Sequence, residues 1–167
     1  RPPNLYERYA WAMGSMATSM IGWFGDGNGY VGNLNLTPEV ANTASFTMTW
    51  HDPVDHRWEV KMQPFYTYTH HYINVVRIAE FSSNFSKLQF VNHNAQSYGI
   101  NASGKLRLWN SNEFGKGELD ANINWVHGED LVNHSGLYHQ MPANGVVGIH
   151  ETFENWTGRV EVTLVKL

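Results

Sequence analysis

The strongest constraint on this chain is an alternation of apolar and polar residues that recurs from residue 30 to the C-terminus. Its cleanest run is Glu118 to Val126, where Leu119, Ala121, Ile123 and Trp125 interleave with Glu118, Asp120, Asn122 and Asn124. Successive side chains of a strand point to opposite faces, so the run reads as a strand with an apolar face turned inward and a polar face turned to solvent. A solvated face is read here ahead of a row that binds hydroxyls or calcium. Gly158 to Lys166 repeats the pattern, with Val160, Val162 and Leu164 set against Arg159, Glu161 and Thr163 as a closing strand.

Two further runs alternate in the same way. Phe46, Met48 and Trp50 and then Trp58, Val60 and Met62 form the apolar sides of a hairpin, expected to pair Phe46 with Met62, Met48 with Val60 and Trp50 with Trp58 around a tip at Pro53-Val54-Asp55. In that register His51 and His56 point to opposite sides and share no ion. From Phe65 to Phe81, Tyr66, Tyr68, His70 and Tyr72 fall on one face of an extended strand. Asn94 to Ser97 and Asn101 to Gly104 read as turns, and His127 to His150 as a long irregular segment. No helical period follows the first quarter. About nine or ten short strands separated by Gly, Asn and Pro make the chain all-β, an antiparallel β-sandwich ahead of a closed barrel.

The N-terminal quarter differs. Tyr9 to Gly25 carries no charge, and Ala10, Gly14, Thr18 and Gly22 recur every four residues beside Met13, Met16, Met20 and Trp23. Residues 1–25 are therefore expected to be a helical or extended arm, and 26–167 the β-sandwich domain. Asp26, Asn28, Gly29, Tyr30 and Val31 match the middle of a calcium-binding loop, but Phe24 and Asn35 stand where its outer carboxylates belong. A glycine-rich turn is the expected reading.

Several functional classes fall away. With no cysteine there is no disulfide, zinc thiolate or thiol nucleophile, and a net charge of -4 without a basic cluster argues against nucleic acid. No nucleophile elbow, phosphate loop or metalloprotease motif is present, so no enzyme is expected. The expected ligand site is the face of Tyr66, Tyr68, His70 and Tyr72 with Tyr138 and His139 from the irregular segment, whose rings would stack on sugars. No cofactor is expected. Zinc or calcium are the candidates that nine histidines leave open, with His70, His71 and His93 as the zinc ligands. These features point to a secreted, extracellular or cell-surface domain that binds carbohydrate, lectin- or adhesin-like, with a glycan or a cell surface as partner. Two alternatives use residues 1–25: a pore-forming protein that inserts them into membrane, and a filament or shell subunit that packs them on its own copies.

Overall fold

The computed structural model describes residues 1–10, 28–82, 85–138 and 140–166. Most of the N-terminal arm, the start of the calcium-like loop (Phe24 to Gly27) and His139 lie outside them. The elements are a short helix α1 (Leu5–Tyr9) and strands β1 (Gly29–Val31), β2 (Val40–Ser45), β3 (Met48–His51), β4 (Trp58–Ser82), β5 (Phe85–Ser111), β6 (Gly115–Asp130), β7 (Ser135–Gly136), β8 (Asn144–Phe153) and β9 (Trp156–Val165). The fold is all-β and antiparallel, except that β1 runs parallel to β5. In place of two facing sheets, the nine strands belong to one sheet in the order β2-β4-β5-β6-β8-β9, with β3 against β4, β7 against β6 and β1 against β5.

Three expectations of the sequence change here. The hairpin keeps its faces but slides by two residues, pairing Met48 with Met62 and Trp50 with Val60. The cause is a wider turn: Asp52 accepts from the backbone N–H groups of Val54 and Arg57, and its own N–H donates to the Trp58 carbonyl. The break between β2 and β3 falls at Phe46, whose N–H donates to Pro64. Proline has no N–H to return, so the ladder lapses there. The turns expected at Asn94 to Ser97 and Asn101 to Gly104 are instead interior to β5. Within the segment read as irregular, Asn144–Phe153 is a strand, joined to β9 by an unbroken ladder from Asn144↔Val165 to Phe153↔Trp156.

The chain divides into two compact units, and β4, β5 and β6 supply residues to both. Unit one (Arg1–Asn42, Thr67–Gln96, Gly128–His139) has a buried core of Ala10, Tyr30, Leu36, Ile73, Leu88 and Phe90. Tyr30 is fully buried, stacked on Phe90 at 5.7 Å, with its hydroxyl 3.0 Å from that of Tyr138. Asn4 and Glu7 form a reciprocal capping box at the start of α1, and Arg1 clamps the buried Glu7 with both terminal nitrogens.

Unit two (Thr43–Tyr66, Ser97–His127, Gln140–Leu167) is built differently. Its large apolar side chains are exposed: Val160 at 75%, Val162 at 57% and Ile149 at 47%. Gly99 and Gly117 allow close approaches within it. A Cβ at Gly99 would lie 2.2 Å from the Trp125 carbonyl and 2.8 Å from the Phe65 ring, and one at Gly117 would lie 2.2 Å from the Trp109 indole. Aromatic rings thus cover glycines on neighbouring strands, a device that pins register.

Candidate functional site

The register of β6, β8 and β9 sorts unit two's side chains into two faces. One face carries the rows Leu119–Ile149–Val160 and Ala121–Val147–Val162. The intervening residues, on the other face, form the rows Glu118–His150–Arg159, Asp120–Gly148–Glu161 and Asn122–Val146–Thr163. One face is hydrocarbon and the other is a charged and amide ladder.

The ladder is tightly paired. Lys116 Nζ lies 2.6 Å from Glu118, whose second oxygen is 2.9 Å from His150 Nε2. The other imidazole nitrogen is 3.4 Å from Asp120, which also meets Arg159 at 3.2 Å, and Arg159 reaches Glu161 at 2.9 Å. Lys116 stands beside Glu118, and Arg159 beside Asp120 and Glu161, so each of these partly shielded carboxylates has a cation next to it. Higher on the same face, Lys61, Gln63, Asn101, Ser103, Asn122 and Asn124 line a cavity of about 180 Å³. Such a surface favours water and polar solutes over any apolar contact.

Aromatic rings gather at two levels of unit two. Trp50, Trp58, Trp109, Phe114 and Trp156 are exposed beside the short turns that join β3 to β4, β5 to β6 and β8 to β9. Further along the strands, Phe46, Tyr66, Tyr98 and Trp125 are exposed, with Tyr98 edge-on to Trp125 at 5.9 Å. Two aromatic levels with an aliphatic face between them are the pattern of a β-sheet that crosses a bilayer. Strands β8 and β9 are 10 residues each, the length of about 9–11 that a tilted transmembrane strand requires.

The residues singled out from sequence are dispersed. Tyr66 belongs to unit two and is exposed. In unit one, Tyr68 and His70 meet edge-on at 4.7 Å, and alternation then stops at His71, whose φ is 54°. Tyr72 is largely buried, and burial, with the Glu39 carboxylate, pushes its phenol up. Tyr138 is packed on the unit-one core, where its hydroxyl accepts from Asn28 and pairs with Tyr30. His93 meets a carboxylate, its Nδ1 2.6 Å from Asp130. His51 and His56 do come together, at 5.6 Å between rings. Among the described residues no group of three or more His, Cys, Asp or Glu side chains is placed to hold a metal ion.

Asp130 is the polar centre of unit one. It is fully buried, and it accepts from Asn74, His93, Asn133 and the backbone N–H groups of Val132 and Asn133. Burial alone would push its carboxyl up, but these hydrogen bonds outweigh it and hold the group below its ordinary value. His150 was missed from sequence because it lay in the segment read as irregular, and Arg159, already placed on a polar strand face, joins Glu118 only through the pairing of β8 with β6 and β9.

Comparison with known proteins bears on both faces. Residues 1–159 match the family described as TonB dependent receptor-like, beta-barrel. No curated protein matches. Among solved structures the chain is similar to Copper transporter OprC, with a TM-score of 0.64 and 14% identity over 78% of this chain and 18% of that one, a likeness of fold. The family match overturns the expectation of a secreted carbohydrate-binding, lectin- or adhesin-like domain with a glycan partner, and with it the pore-forming and filament alternatives built on residues 1–25. The physical reason lies in unit two: a soluble sandwich hides its apolar rows between sheets, whereas here they are exposed on one face.

Proposed function

Since this chain belongs to the TonB dependent receptor-like β-barrel family, we propose that its strands are part of the wall of a transporter that carries a solute inward across the outer membrane. Barrels of this family are outer-membrane proteins, so the cell-surface expectation holds in that broad sense. The observation that carries the reading is the pair of opposed faces on β6, β8 and β9. The apolar rows of unit two face lipid hydrocarbon, and the Glu118–His150–Arg159 ladder faces a polar lumen. Short turns beside Trp50, Trp109 and Trp156 mark the periplasmic side. Unit one, with a core of its own, stands in water. The partner that energises uptake is TonB, which the family description names. Copper is the cargo in the name of OprC, and this chain's own cargo is a solute compatible with a wall of paired charges and amides.

Cysteine scanning tests this directly, because the chain has no native cysteine. In intact outer membranes, Val160→Cys and Val162→Cys should resist a water-soluble maleimide, while Thr157→Cys and Thr163→Cys on the opposite face should react. Equal labelling of the two sets would refute a lipid-facing wall.

A further inference from the structure

At the short-turn end of unit two, the β3–β4 turn and the end of β5 enclose a cavity of about 530 Å³. Arg57 and Arg107 bring two guanidinium groups to its wall, against a single carboxylate, Asp55. Arg107 is held in place: its backbone N–H donates to the Arg57 carbonyl at 2.7 Å and its Nη1 to the Asp55 carbonyl at 3.1 Å. Its Nε is buried and has no hydrogen-bond partner among the described residues. A buried donor without an acceptor is costly, and an anion oxygen would relieve it. Arg57 meets Asp55 only at 3.7 Å, with both side chains mostly exposed, a pairing too weak to keep the guanidinium from a better anion.

Trp58 and Leu106 line this cavity and also a second one of about 330 Å³. The second is apolar, walled by Val60, Leu119 and Ala121, with Gly104 on its floor. A Cβ at Gly104 would find nothing nearer than the Glu59 carbonyl at 3.8 Å, an ordinary van der Waals contact, so a side chain has room there. A cationic recess and an apolar groove sharing two walls match an amphiphile with an anionic head and a hydrocarbon tail. The Trp58 indole stands at the junction, where such rings settle at the headgroup level.

We propose that this double cavity binds one anionic phospholipid, its phosphate between Arg57 and Arg107 and an acyl chain in the groove over Gly104. The proposal rests on the reading of unit two as a membrane wall. Charge complementarity chooses the head, since the groove alone would take any acyl chain. Bound there, the lipid ties the β3–β4 turn to β5.

The test is native mass spectrometry of the receptor extracted from its membrane in mild detergent, delipidated and titrated with dioleoyl phosphatidylglycerol, dioleoyl phosphatidylcholine or inorganic phosphate. Wild type should retain one phosphatidylglycerol in preference to phosphatidylcholine. Arg57→Ala, which removes only an exposed side chain, and Arg107→Ala should each weaken it about tenfold, the scale of one charge-assisted hydrogen bond. Gly104→Leu should weaken both lipids alike by filling the groove. Retention of phosphatidylglycerol by the double arginine variant would overturn the proposal. So would displacement by equimolar inorganic phosphate together with indifference to Gly104→Leu, which would make the recess a free-phosphate site. Protection of Val160→Cys in each background reports separately on the wall, so loss of lipid with protection intact concerns the site, and loss of protection in wild type concerns the barrel.

Discussion

Replacing Val160 by lysine separates the two solvents that the exposed row of β9 could meet. Val160 stands four residues along β9 from Trp156, about 14 Å at about 3.4 Å per residue. For a strand tilted by about 40° that is about 10 Å of depth above the aromatic level, close to the middle of an apolar band about 25 Å tall. Its in-register neighbours Ile149 and Leu119 are apolar, so an ammonium placed there has no partner on its own row. In lipid, lysine near the midplane of an outward face costs about 2–4 kcal/mol, about a 30- to 1000-fold loss in the folding equilibrium. In water the same change at a residue 75% exposed would stay within about 0.5 kcal/mol. The assay is reversible guanidinium unfolding of the protein in phospholipid vesicles, with Val132→Lys as the control, an exposed valine of unit one expected to be near neutral. Were Val160→Lys to cost no more than Val132→Lys, the assignment of the apolar face to lipid would be wrong.

Further outcomes concern Asp130 and two glycines. Asp130 has a folded pKa below its unfolded one, so its stabilisation is present above the unfolded value near about 3.9 and drains away as pH falls through the folded value. Protection of the Val132 and Asn133 amides, measured against their intrinsic exchange at each pH, should therefore fall below about pH 4, and Asp130→Asn should cost about 2–3 kcal/mol at neutral pH by setting amide donors against His93 and Asn74. Unchanged protection in Asp130→Asn would refute the carboxylate's role. Gly99→Ala drives a methyl onto the Trp125 carbonyl and should cost about 1–3 kcal/mol. Gly104→Ala makes only an ordinary contact with the Glu59 carbonyl at 3.8 Å and should fold like wild type, and equal refolding yields for the two would contradict the covering of Gly99 by Phe65.

The alternation in Glu118 to Val126 made the strand legible, yet it is symmetric between two solvents. A period of two tells which residues share a face and is silent on which face is wet. Leu119 and Ile123 were assigned inward on the premise that water surrounds the sheet, and Ile123 is instead 58% exposed. Strand β8 was hidden by Gly145 and Gly148, which take side chains out of the pattern while leaving every backbone hydrogen bond available to the ladder. The Asn-, Ser- and Gly-rich stretches of β5 looked like turns because turn chemistry and a polar strand face draw on the same residues. The hairpin register was two residues off because Asp52 widens the turn through its carboxylate, a local side-chain choice that the alternation does not record. The candidate site was half visible: Glu118 and Asp120 were seen as one row, while His150 joined them only through the pairing of β8.

The unbroken ladder between β8 and β9 also governs how this wall can change over generations. Losing one residue within Asn144 to Phe153 would exchange every contact of the remaining stretch between hydrocarbon and water. Losing two would keep the facing and move the segment by about 7 Å along its axis. The strand therefore behaves as a text read in pairs, in which odd deletions are nonsense and even ones are displacements. Changes of length should accumulate instead outside these ladders, in the connection between β7 and β8.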